Sequence, residues 1–192
     1  MHLFLDTETT GIFNFRCPID HPAQTRVVQL GMIMADEDRH AVAELNLLVK
    51  PDGWEIPAEA SAVHGITTKM CERYGLPIKH ILPLFTSLWS RADLLVAHSF
   101  AFDSNMLQRE YFLMGLDGLG AVFAEKEHYC TMLSSTDILN LQGPYGAKWP
   151  KLMEVYKHAF GKEFSGAHDA MADVRACQEV FYWLRQNPTN PV

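Results

Sequence analysis

The sequence predicts an α/β fold, a mixed sheet covered by helices. Three observations carry this. Strand-like apolar segments come first, strands and helices alternate after them, and Gly and Pro punctuate the transitions. Residues 2–7 place Leu3 and Leu5 opposite Phe4 and Asp6, a strand ended by the turn Thr9-Thr10-Gly11. Residues 12–26, with Cys17-Pro18 and His21-Pro22, form a long exposed connection. The apolar runs 27–35 and 41–49 flank Asp36-Glu37-Asp38-Arg39 as a hairpin, which with the first strand starts the sheet. Beyond Pro51-Asp52-Gly53 the pattern turns helical. Residues 59–64 form a short helix before Gly65, and residues 78–91 carry apolar positions at 78, 81, 82, 85, 88 and 89, with Pro83 tolerable only near a helix start. Residues 93–98 (DLLVAH) read as a short strand covered on both faces. Residues 102–114 are helical and stop at Gly115, residues 128–132 form another short strand, and residues 150–160 and 169–185 are the last helices. A single domain over 1–185 with a tail at 186–192 is expected.

The chain has 192 residues, 48% of them hydrophobic and 20% charged, which supports a sizeable core and excludes wholesale disorder. No run reaches the roughly 18 apolar residues of a membrane helix, and none resembles a secretory segment. Four cysteines are too sparse for a disulfide framework, which points to a reducing, cytoplasmic setting. A net charge of −7 argues against a broad cationic coat for nucleic acid but leaves room for a local site.

The chemistry-bearing signal is acid placed where a core belongs. Asp6 and Glu8, two apart at a strand end, point to one face, although carboxylates at a strand end are also common as solvated or capping groups. Asp103 follows the C-terminal end of a strand, where α/β sheets gather ligand-binding groups, and shares a helical stripe with Leu107, Tyr111 and Met114; the alternative is a first-turn acid that complements the helix dipole. Asp173 shares its stripe with Cys177, Val180, Phe181 and Leu184, and Asp169 lies on a similar face; spacing alone does not choose between them. A buried carboxylate without a partner costs several kcal/mol or takes up a proton. Arg175, two positions from Asp173, points elsewhere, so a divalent ion is the economical partner. His168 stands just before this helix, placed to accept a proton from an activated water. An oxygen-only ligand set suits Mg²⁺ or Mn²⁺ rather than zinc, and two such ions assist in-line displacement at phosphorus.

The segments Asp6-Thr7-Glu8-Thr9-Thr10-Gly11, Ala62-Val63-His64-Gly65-Ile66-Thr67, His98-Ser99-Phe100-Ala101-Phe102-Asp103 and His168-Asp169-Ala170-Met171-Ala172-Asp173 stand in the order of the DnaQ-like exonucleases. The chain resembles their DEDDh branch, which includes bacterial polymerase proofreading subunits and RNase T. The resemblance implies an RNase H-like fold and stepwise release of 5′-mononucleotides from a 3′ end. Under it Asp6, Glu8, Asp103 and Asp173 are ligands for two Mg²⁺ or Mn²⁺ ions, His168 is the general base, and Asp169 is a helix-start residue. It places Thr9, His64 and Gly65 beside the terminal nucleotide, with His64 near its 3′ hydroxyl, Ile66 against the base, and Phe102 stacked or wedged between terminal bases. Many members carry Asn where this chain has Ser99.

Single-stranded or frayed DNA 3′ ends are the expected substrate. RNA is the alternative, and a DNA polymerase is the expected protein partner of a proofreading subunit. A binding module that does not cut is the reading from another class; it gives no reason to keep four costly acids and His168. Cys17 and His21 make half of a zinc site with no second half nearby, and Lys148, Lys151, Lys157 and Lys162, interleaved with Trp149 and Tyr156, read as a solvated helix face, with a path for a nucleic-acid backbone as the alternative.

Overall fold

The computed structural model describes residues 1–144 and 146–186. The chain opens with β1 (His2–Thr9), β2 (Val27–Ala35) and β3 (Ala41–Leu48). Three helices follow, α1 (Ala58–His64), α2 (Thr68–Tyr74) and α3 (Ile78–Trp89). Then come β4 (Leu94–Ala97), α4 (Phe100–Leu113), α5 (Asp117–Ala124), β5 (His128–Cys130) and α6 (Thr131–Leu139). The small ribbon β6 (Gln142–Gly143) and β7 (Gly146–Ala147) precedes α7 (Leu152–Phe160) and α8 (Ala170–Gln186). The rest of the expected tail, residues 187–192, lies outside the described residues.

The main sheet has the order β3-β2-β1-β4-β5. β1 pairs antiparallel with β2 and parallel with β4, so the sheet is mixed, as the sequence predicts. Its two faces carry different cores. Leu3 and Leu5 of β1 face one cluster, with Ile81, Phe85, Leu107 and Tyr111 from α3 and α4. Phe4 faces the other, with Val155 of α7 and Val174, Cys177 and Phe181 of α8. The alternation of a central strand thus requires a helix layer on each side. β2 is buried along its whole length, as expected of a strand covered on both faces.

The sequence reading places the main strands and the long helices, and misses α2, α5 and α6. Only residues 128–130 of the expected last strand pair with β4; the chain turns into α6 at Thr131, whose hydroxyl bonds the His98 ring. Pro83 lies inside α3 rather than at its start, on the exposed side of the helix. The 12–26 connection is an ordered loop. Gln24 is buried and clamps it, accepting from the Asn14 N–H (3.0 Å) and donating to the Asn14 carbonyl (2.9 Å). At its end Arg26 makes a two-pronged ion pair (2.9 Å each) with Glu110 of α4, whose carboxylate also accepts the Val27 N–H. Glu110 is fully buried, and this many charge-assisted bonds offset the cost of its desolvation. No helix of the described residues is long and apolar enough to cross a membrane.

Candidate active site

The site forms where β1 outruns β4. Pairing with β4 covers only His2, Leu3 and Phe4, which leaves the far end of β1 open on that edge. Asp103, in the first turn of α4, fills the opening. Its Oδ1 accepts from the Thr7 backbone N–H (3.0 Å) and from the Thr7 hydroxyl (2.7 Å). Both donors belong to Thr7, so one acid is oriented by the residue that stands between the other two. Asp103 is 2% exposed.

Asp173 arrives from the opposite layer because α8 is seated directly on β2. Gly31 stands opposite Asp6, on the same face, and a Cβ there would come within 2.7 Å of the Ala170 backbone. The helix can approach this closely only over glycine. Gln29, opposite Glu8, completes the seat. It accepts from the Ala170 N–H (3.1 Å) and donates to Asp169 (3.1 Å) and to Asn46 (2.8 Å). Asp169 accepts the Ala172 N–H (3.1 Å) and caps the helix, the role expected of it. Its partners are spoken for, and the acid turned toward β1 is Asp173. His168 sits immediately before, with a left-handed backbone (φ 69°), and its N–H is bonded to Asp173 Oδ2 (3.0 Å). That turn leaves the imidazole exposed at the cleft rim.

Asp6, Glu8, Asp103, Asp173, His168 and Phe102 thus line one cleft of about 400 Å³. Atoms of Glu8, His168 and Asp173 suited to ligating a metal lie within 4.8 Å of one another. Glu8 and Asp103 are buried, Asp6 and Asp173 are half-buried, and all four stand beside each other, so their proton affinities rise. Burial, followed by the charges of Asp103 and Asp173, pushes Asp6 well above the ordinary carboxylate range. Burial pushes Glu8 up to about 8, Asp103 to about 7 against the pull of its Thr7 bonds, and Asp173 to about 6. Such a set is stabilised as anions only by added positive charge. Two carboxylates and one ring nitrogen at this distance, with the Asp6 and Asp103 carboxylates lining the same cleft, fit a divalent cation.

The remaining predicted residues lie beside the cleft rather than among the residues that line it. Thr9 is buried and its hydroxyl donates to the Gly11 carbonyl (2.6 Å). His64 ends α1, and its Nδ1 accepts from the Ile66 N–H (3.0 Å), so in the neutral ring Nε2 carries the proton. Burial lowers its pKa, with the Thr9 backbone raising it and the His168 charge lowering it, which places His64 near both. Gly65 is the left-handed cap of α1 (φ 74°), and Ile66 packs with Val28, Ile56 and Cys71. Ser99 and Lys151 also line the cleft. His98 bonds through both ring nitrogens, to the Thr131 hydroxyl and the Pro150 carbonyl (3.0 Å each), and burial holds it neutral with a pKa of about 4. It is a brace between the end of β4 and the loop that carries Lys151. Sequence reasoning missed Gln29, Gly31 and Thr7, and it read Lys151 as part of a solvated helix face, whereas Lys151 lines the cleft. The signal for the first two was available: a glutamine and a glycine interrupt the otherwise apolar strand VVQLGMIMA.

The exonuclease family pattern named for RNase T matches residues 3–181. The chain belongs to this exonuclease family. It is therefore a nuclease, a hydrolase of nucleic acid. It is 30% identical to an uncharacterized exonuclease, CP81, of Escherichia phage 186 over 175 residues, which is 90% of this chain and 82% of that one. It is 29% identical to a DNA polymerase III subunit epsilon-like protein of Rhodobacter capsulatus, covering 93% of this chain but 23% of the relative. The fold of this exonuclease family member superposes on E. coli exonuclease I, solved in complex with a dT13 oligonucleotide, with a TM-score of 0.76 at 21% identity. The match covers 97% of this chain and 41% of exonuclease I.

Proposed function

We propose that the protein is a metal-dependent 3′–5′ exonuclease that removes 5′-mononucleotides from single-stranded or frayed DNA. One observation carries the reading: four inward acids from three separated segments meet in one cleft with His168 at its rim. Two Mg²⁺ or Mn²⁺ ions bound by Asp6, Glu8, Asp103 and Asp173 would supply the positive charge that draws in a phosphodiester and makes a water acidic enough to attack it. The protein's own groups do the rest. Asp103 is held in place by Thr7, so its oxygens need little reorganisation. His168, with a ring nitrogen within 4.8 Å of Glu8 and Asp173 carboxylate oxygens and its backbone N–H tied to Asp173, takes the proton of the attacking water. In this reading Thr9, His64 and Gly65 border the terminal nucleotide, with the His64 Nε2–H available to its 3′ hydroxyl, Ile66 backing that wall and Phe102 stacking on a terminal base.

The epsilon-like relative supports a polymerase as a partner of the proposed enzyme, in proofreading or repair, and the oligonucleotide held by exonuclease I supports a single-stranded DNA substrate. The test uses matched DNA and RNA oligomers labelled at either terminus, with Mg²⁺ or with chelator. DNA shortened from the 3′ end, with mononucleotides released only when divalent ions are present, is the expected result. Cleavage that persists in chelator, or that starts at the 5′ end, overturns the proposal, and a preference for RNA replaces DNA as the substrate.

A further inference from the structure

Beside the catalytic cleft lies a larger groove of about 610 Å³ that the chemistry above leaves unused. Ser99 and Phe102 line both cavities. Its floor is the buried Phe100 ring stacked on His128, with centroids 4.1 Å apart and planes 7° from parallel. Its rim carries Phe15, Leu133 and Trp149, which are 61%, 56% and 66% exposed. Large apolar side chains around an open concavity favour whatever covers them.

The segments that carry Phe15 and Trp149 are held in place. Phe15 packs edge-on against the buried Phe13 (5.2 Å between centroids), in the loop that Gln24 clamps and that Arg109 holds by donating to the Ile19 carbonyl. Trp149 precedes Pro150, whose carbonyl accepts from His98. An apolar surface already fixed in place loses little entropy on binding.

We propose that this groove receives the next bases of the substrate strand, those upstream of the terminal nucleotide, with Trp149 and Phe15 as stacking faces. The inference rests on the nuclease reading above. A strand whose last phosphodiester occupies the cleft meets the groove at Phe102, where the two cavities join. No Asp, Glu, Lys or Arg lines the groove. In a chain of net charge −7 the lack of carboxylates gives a polyanion passage, and the lack of cations leaves bases rather than phosphates as what is gripped. The side-chain amides of Asn105 and Gln108 donate within their own helix, to the Ala101 carbonyl (2.7 Å) and the Ser104 hydroxyl (3.2 Å). Stacking rather than hydrogen-bond readout is then the main interaction, which is tolerant of sequence. It also selects single strands, because paired bases keep their faces inside the duplex.

Two measurements test this. The first is the KM for thymidine dinucleotide and tetranucleotide substrates in the wild type, Trp149→Ala and Trp149→Phe. The wild type should show the lower KM for the tetranucleotide. Trp149→Ala should raise that value about tenfold, toward the dinucleotide's, the size of one lost stack, and Trp149→Phe should restore most of it. The second is the fluorescence of 2-aminopurine at the third position from the 3′ end, in Ca²⁺ instead of Mg²⁺. It should be quenched by the wild type and less so by Trp149→Ala. Length dependence unaltered by Trp149→Ala, or unchanged fluorescence on binding, overturns the proposal and gives the groove to another occupant, such as a protein partner. A wild type that quenches but cuts neither oligomer sinks the nuclease reading while the groove assignment stands.

Discussion

Two histidines show how residue context separates chemistry from support. His168 projects from a left-handed turn with its ring exposed at the cleft, whereas His98 is buried with both nitrogens bonded. His168→Ala should lower turnover by roughly 10²–10⁴-fold, the usual contribution of a general base, while Mn²⁺ affinity measured by calorimetry is largely kept. Asp173→Asn should lose both turnover and affinity. Equal turnover in His168→Ala and wild type at neutral pH would remove His168 from the mechanism. The acids stood out in the sequence because they interrupt apolar stripes, whereas the choice of Asp173 over Asp169 and the role of His168 as general base came from the family motif. Thr7 did not stand out, since a threonine in a strand is ordinary and its value lies in an Asp103 bond across 96 positions. Thr7→Val leaves only the backbone donor. It should cost about 1 kcal/mol in chemical denaturation and lower kcat more than it changes KM.

Among the elements, α8 on β2 decides the geometry. Sequence periodicity found both, because each is long and strongly patterned, but not their close approach, which depends on Gly31 and Gln29 facing Asp6 and Glu8. Gly31→Ala should push the start of α8 away from the sheet. We expect a loss of about 1–3 kcal/mol in denaturation, the range for overpacking, together with weaker Mn²⁺ binding. A variant as stable and active as wild type would show that the helix does not need this seat. The missed helices α2, α5 and α6 span 7, 8 and 9 residues. In so few residues one face of a helix and a loop have similar patterns, and tertiary packing rather than propensity holds them. α6 was hidden further by the strand-like His128-Tyr129-Cys130, which pairs with β4 for three residues before the chain turns.

On the scale of the whole molecule, the acid cluster sets how stability responds to pH and metal. In the folded, metal-free protein Glu8 and Asp103 keep their protons up to about 8 and 7, above the 4.5 and 3.8 of the free side chains. The folded state therefore binds more protons than the unfolded one, and stability falls as pH rises from 6.5 to 8. Below 6.5 His98 acts in the opposite sense. It stays neutral in the fold down to about 4, so protonation of the unfolded chain lowers stability as pH falls toward that value. Thermal scans of metal-free protein should show a falling Tm between pH 6.5 and 8, and excess Mg²⁺ should flatten the fall by replacing protons with cations. A flat metal-free profile would mean that the acids are not desolvated together. The most direct check of their purpose is anomalous diffraction from crystals grown with Mn²⁺. Two manganese peaks ligated by Asp6, Glu8, Asp103 and Asp173 are the predicted result. A map with no peak in this cleft, or with manganese only at the surface cluster of Asp36, Asp38 and His40, would contradict the account.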